Sequence, residues 1–117
     1  MKQNNNFEYD LEIGIKGENF VAKALSDVKI EVKTDFKAKD TGNVFVEYES
    51  RNKLSGISKT QSKWYCFVIS NNNLIFISVI KLKKLCRKYL NTNRDVKGGD
   101  NNTSKGILLP LEDLTKL

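Results

Sequence analysis

Leu11, Ile15, Ala22 and Leu25 follow one another at spacings of 4, 7 and 3 residues. That is the single apolar stripe of an amphipathic helix, and it predicts one over residues 10–25. The stripe lacks one member, at position 18, where the chain has Glu18. A carboxylate on a core-facing stripe is costly unless something pairs with it. Gly14 and Gly17 weaken the helix ahead of Glu18 and place its firm start near Gly17. Residues 1–6 are polar and read as a frayed, disordered tail.

Beyond Asp27 the period changes to two. Ile30, Val32 and Thr34 alternate with Lys29, Glu31, Lys33 and Asp35, and Val44, Val46 and Tyr48 alternate with Phe45, Glu47 and Glu49. These read as two strands, with the turn formers Asp40, Thr41, Gly42 and Asn43 between them. Paired antiparallel with Asp35 opposite Asn43, they set Glu31 directly across from Glu47, with Cβ atoms about 5 Å apart. Two like charges so placed require a positive charge between them, either Lys33 or a divalent cation.

Residues 51–63 form a polar, basic loop or short helix around Ser55-Gly56. Two apolar runs, 64–70 and 74–80, flank Asn71-Asn72-Asn73 and predict a buried hairpin. Residues 81–90 predict a helix with Leu82, Leu85, Cys86 and Tyr89 inward and Lys81, Lys84, Arg87 and Lys88 outward. A polar loop over 91–105, a short strand over 106–109 stopped by Pro110, and a last helical turn complete the chain. The order is helix, three or four antiparallel strands, helix, strand. That is α+β, a sheet covered by helices in one domain over residues 1–117.

Charge sharpens this picture. Residues 1–50 carry a balance of −3 and residues 51–117 a balance of +9, within a net +6. The carboxylates lie in the first part and the cations in the second, an arrangement suited to gripping a polyanion around bound metal. Ordinary solubility charge gives the same totals. The chain has no histidine, which removes histidine acid–base chemistry, Ser–His triads and the common zinc sites. A metal held by carboxylates is then a hard one, Mg²⁺ or Mn²⁺. The two cysteines, Cys66 and Cys86, read as buried thiols rather than a disulfide or zinc site. No apolar segment suits a signal peptide or a membrane span, which predicts a cytoplasmic chain with no membrane partner.

Glu31-Val32-Lys33 is an ExK triplet on a strand, with both charged residues on one face about 7 Å apart. The carboxylate can hold a metal, and the lysine can orient an attacking water or offset charge on a phosphorane-like transition state. As a bare pattern ExK is common and equally fits a solvated face. Its context is more specific: an off-pattern Glu18 precedes it, Glu47 neighbours it, and the rest of the chain is basic.

GENFVAKAL, IEVKTD, TGNVFVEYES, SGISKT ahead of an aromatic strand, and the closing GGDNNTSKGILLPLEDL together resemble small phage and bacterial proteins of the PD-(D/E)XK nuclease superfamily. The resemblance spans residues 10–114. It implies a restriction-endonuclease-like fold, an α/β/α sandwich with a central mixed sheet flanked by helices. Glu18 matches the glutamate of that superfamily's first helix, and Glu31 and Lys33 match its ExK pair. Its smallest members, the archaeal-type Holliday junction resolvases, are Mg²⁺-dependent homodimers with basic surfaces. The resemblance therefore implies an endonuclease of branched DNA, located in the host cytoplasm if phage-encoded. A non-cleaving DNA-binding protein on the same fold is one rival; a phage accessory protein, with another nuclease substrate or a purely structural role, is the other.

The superfamily also places an aspartate on the strand before ExK. Asp27 is four residues from Glu31, about 13 Å along a straight strand, so either the chain bends there or Glu47 takes that role. The expected site is Glu18, Glu31, Lys33 and Glu47 for catalysis, with metal held by Glu31 and by Glu47 or Asp27. Lys53, Ser55, Lys59 and Lys63 read as one phosphate-contacting strip, and Lys81, Lys84, Arg87 and Lys88 as a second that equally fits a solvated helix face. Trp64 and Tyr65 read as core or interface residues.

Overall fold

The computed structural model describes residues 2–26 and 29–117, with the side chains of residues 2–7 left aside; Asp27 lies outside the described residues. Helix α1 (Lys2–Ser26) is followed by β1 (Ile30–Thr34), a single helical turn α2 (Ala38–Thr41), β2 (Asn43–Ser50) and the two-residue β3 (Lys53–Leu54). Then come β4 (Trp64–Ser70), β5 (Asn73–Ser78), α3 (Val79–Arg87), β6 (Asp95–Gly98), β7 (Ser104–Pro110) and the short α4 (Leu111–Leu114). The class is α+β. The strands form two sheets: a mixed one in the order β1-β4-β5, and an antiparallel one in the order β3-β2-β7-β6.

Several expectations need correction. The segment between β1 and β2 is not a hairpin turn. Ala38 is fully buried and anchors α2, which ends on Gly42 in a left-handed conformation at φ 75°. β1 therefore does not pair with β2. It runs parallel to β4, with Glu31 beside Tyr65 and Lys33 beside Phe67. β2 pairs instead with β7, Val44 opposite Leu109 and Val46 opposite Ile107. Parallel pairing needs a crossover, and residues 35–63 supply it. The expected loop over 91–105 holds a strand, β6, paired to β7 with Val96 opposite Gly106. The helix start expected near Gly17 also shifts, because α1 runs through both glycines from Lys2 and takes in residues 2–6.

Other expectations hold. β4 and β5 form the antiparallel hairpin. α3 buries Leu82, Leu85 and Cys86 and leaves Lys84, Arg87 and Lys88 in solvent. Ser78 caps this helix, its Oγ accepting the Lys81 N–H at 3.2 Å, and Lys84 and Arg87 sit in its last turn, where the dipole favours cations. One core joins the two sheets: Tyr65, Phe67 and Ile77 from the first, Val44, Val46, Ile107 and Leu109 from the second, and Leu82 from α3. Both cysteines are buried free thiols.

α1 stands apart from this core. Every described side chain from Glu8 to Lys23 is exposed, Leu11, Ile15 and Glu18 included. The stripe that contains Glu18 is real, but it does not face this core. Twenty-five residues of helix are about 37 Å long, and the molecule measures 64 Å along its long axis against 30 and 27 Å across. Among the described residues no helix is long and apolar enough to cross a membrane.

Candidate functional site

The strands that carry Glu31 and Glu47 belong to different sheets, and the direct cross-strand opposition expected from the sequence does not occur. Three other features bring the two residues toward one place. Asp35, just past β1, accepts the Phe45 N–H through Oδ2 at 3.3 Å, which ties the end of β1 to β2. The 3-10 turn Gly56–Ser58 lies against β2 so closely that a Cβ on Gly56 would stand 2.2 Å from the Glu47 carbonyl oxygen. Gly56 also has φ 50°, so the loop depends on glycine twice over, for its conformation and for its approach. The same loop continues to Thr60, whose hydroxyl donates to Glu31 Oε1 at 3.4 Å. Ser55–Thr60 thus bridges the strand of Glu47 to the carboxylate of Glu31.

Tyr65 is the neighbour of Glu31 in the β1–β4 pairing. It is 2% exposed, and its hydroxyl finds no hydrogen-bond partner among the described residues. Burial pushes its pKa up to about 12, and Glu31, Cys86 and Glu47 add to the shift in that order. Lys33 Nζ sits 3.8 Å from Glu31 Oε2, with both side chains partly in solvent. This is the local cation expected beside Glu31; as a surface pair it contributes at most about 1 kcal/mol. Ser55 Oγ is a second buried hydroxyl without a partner among the described residues, on the same loop.

Among the described residues, no three Asp, Glu or Cys side chains converge on one point. Glu18 is exposed on α1, with no ion pair or hydrogen bond among the described residues. A pair of carboxylates with neighbouring hydroxyls is an all-oxygen donor set. It suits Mg²⁺, which is held by one or two carboxylates and keeps water or substrate phosphate on its remaining positions.

The basic residues divide by direction. Lys83 and Arg87 of α3 border a cleft of about 340 Å³ with Tyr48, Leu54, Ile57 and Ser58. This cleft adjoins Glu47 through Tyr48 and the 3-10 turn. Lys81, Lys84 and Lys88 line a different groove, with Lys116 at the C-terminus, where Lys81 Nζ donates to the Lys116 carbonyl. Lys53, Lys59 and Lys63 are exposed on and after β3. The expected second strip is therefore two surfaces, with Arg87 on one and Lys81, Lys84 and Lys88 on the other.

Sequence reasoning left Asp35 and Thr60 out of the site, and gave Tyr65 only a core or interface role. Asp35 sits on the charged face of β1 beside Glu31 and Lys33, a signal that was present. Nothing in the sequence marks Thr60 or the Tyr65 hydroxyl, because both depend on β4 lying beside β1. Tyr48 is fixed by donating to Asp95 Oδ1 at 2.6 Å, and that bond first, then burial and the Asp95 charge, pushes its pKa up to about 12.

No family model matches the chain, and no curated protein or solved structure is significantly similar to it.

Proposed function

We propose that the chain is a metal-dependent DNA endonuclease on a restriction-endonuclease-like scaffold, and that its substrate is branched DNA such as a four-way junction, cut by a homodimer. One observation carries the reading: Glu31 lies beside the buried Tyr65 in the β1–β4 pairing, 3.8 Å from Lys33 Nζ, and meets Thr60 on the loop that packs against the Glu47 backbone. The mixed sheet, with the Glu31-Lys33 strand parallel to β4, and a helix ahead of that strand are consistent with the scaffold.

Glu31 and Glu47 are the residues that would hold Mg²⁺ or Mn²⁺. When bound, such an ion supplies a polarised phosphoryl oxygen and a more acidic water. Glu31 is held in place by Thr60, and Lys33 beside it is positioned to orient a water and to offset negative charge as it grows on the phosphate. Glu47 is held from its backbone by the Gly56 turn. The cations of the cleft supply phosphate contacts, which make binding fall with salt.

The test compares wild type, Glu31→Ala and Lys33→Ala on a labelled four-way junction and on linear duplex, with and without Mg²⁺. Paired nicks in the junction from wild type alone, with DNA binding kept by Lys33→Ala, is the expected result. Undiminished cleavage by Lys33→Ala overturns the assignment. Salt-sensitive binding with no cut at any metal concentration makes the protein a DNA-binding scaffold instead.

A further inference from the structure

The cleft beside the Gly56 turn has a composition that phosphate contacts alone do not explain. Its volume is about 340 Å³, at the small end of the range for ligand sites. Most of its lining is apolar: Leu54 from β3, Ile57 from the 3-10 turn, Cys86 from α3, Leu90 from the turn after it, and Ile107 from β7. Ile57, Cys86 and Ile107 are buried and form the floor. Leu54 is 66% exposed and Leu90 42%, which places them at the mouth. Phosphate is recognised by charge and by N–H groups, so a cleft that held phosphate alone would have no use for this lining.

The charged groups are few and of one sign. Lys83 and Arg87 border the cleft one turn apart on α3, and the lining includes no carboxylate. Neither makes an ion pair among the described residues, although Lys83 is half-buried. Two like charges at this spacing destabilise a helix, and an anion between them removes the repulsion. Tyr48 adds an aromatic ring. Its hydroxyl donates to Asp95 Oδ1 at 2.6 Å, and Asp95 belongs to a separate polar hollow with Lys97 and Lys105. That bond fixes the ring while using none of the cleft's own polar groups.

We infer that the cleft seats a single unpaired nucleotide, with its base in the apolar part against Tyr48 and Leu54 and its phosphate on Lys83 and Arg87. The two halves of the cleft match the two halves of that ligand. A base out of its stack is held by proteins on aromatic side chains, and an unpaired Lys–Arg couple suits phosphate. A base-paired duplex keeps its bases stacked and offers the cleft only phosphates. The nucleotide has two possible sources, an unpaired position in a DNA strand and a free mononucleotide. The first deepens the proposed function and rests on it: Tyr48 follows Glu47 on β2, so the cleft adjoins the candidate site and fits a strand left unpaired at a branch. Binding itself requires neither metal nor cleavage.

The test measures binding of the full chain to a short labelled single strand by fluorescence anisotropy, without metal, with dAMP and inorganic phosphate as competitors. The expected result is displacement by dAMP at concentrations where phosphate has no effect. Leu54→Ser and Tyr48→Leu are each expected to weaken single-strand binding about tenfold, the effect of losing contact with one base. Tyr48→Phe keeps the ring and is expected to bind like wild type. Leu54 is mostly exposed, so Leu54→Ser is expected to keep the wild-type circular dichroism and thermal transition. A strand bound more tightly than dAMP assigns the cleft to DNA, and the reverse order assigns it to a free nucleotide. Phosphate competing as well as dAMP overturns the inference, as does single-strand binding indifferent to both Leu54→Ser and Tyr48→Leu. Failure of the nuclease reading is separate: dAMP competition by a protein that cuts no junction keeps the nucleotide site, and junction cleavage without dAMP competition removes the nucleotide site alone.

Discussion

Tyr65→Phe separates stability from function at a single atom. The Tyr65 ring is buried against Phe67, with centroids 5.8 Å apart, and the substitution keeps that ring. It removes a hydroxyl that is buried with no partner among the described residues. Leaving a buried hydroxyl unpaired costs about 1–3 kcal/mol, and the small void that replaces it returns part of that. The net expectation is a gain of about 1 kcal/mol, or roughly 4 °C in Tm for a domain of this size. Urea unfolding followed by tryptophan fluorescence measures it, since Trp64 is the chain's one tryptophan. On the proposed function, a Tyr65 hydroxyl that acts as a preorganised donor predicts a loss of about a hundredfold to a thousandfold in cleavage rate for the same variant. A loss of stability above 1 kcal/mol would refute the reasoning, because it means the hydroxyl is hydrogen-bonded in the folded protein. Unchanged cleavage would remove Tyr65 from the site while leaving the stability argument intact.

Gly56→Ala puts a Cβ 2.2 Å from the Glu47 carbonyl oxygen at φ 50°; it is expected to lose about 2–4 kcal/mol by urea unfolding and to disturb Glu47. Tyr48→Phe breaks the 2.6 Å bond to Asp95, whose Oδ2 still accepts the Asn91 N–H at 2.9 Å; a loss of about 1–2 kcal/mol is expected, measured the same way. Stability is expected to fall at alkaline pH: burial and the nearby carboxylates raise Tyr65, the Asp95 hydrogen bond raises Tyr48, and burial raises Cys86, each to about 12 from ordinary values of 10, 10 and 9. Each group holds its proton more tightly folded than unfolded, so its contribution is complete below the ordinary pKa and is lost as pH rises toward 12, on the order of 2 kcal/mol for buried Tyr65. Thermal melts from pH 8 to 12 read this directly, and a flat profile contradicts it.

The sequence by itself determined what depends on neighbours along the chain. Period two assigned Glu31 and Lys33 to one face of β1, and the spacing of Leu82, Leu85 and Cys86 oriented α3. The apolar runs around Asn71 and Asn72 specified the β4–β5 hairpin, because a short turn leaves few other pairings. Alternation identifies a strand's faces but not its partner, so the tertiary structure alone decided that β1 lies parallel to β4. The segment expected to be a hairpin loop forms α2 with Ala38 fully buried, and β2 after it belongs to the second sheet. The candidate site follows from that choice. Glu31 and Glu47 are related through Tyr65, Thr60 and the Gly56 turn, contacts between residues far apart in sequence that no local pattern encodes. Glu18 makes the same point from the other side. The stripe to which it belongs was legible from its spacing, but a period says only that a face is apolar. What covers that face depends on surfaces elsewhere in the fold.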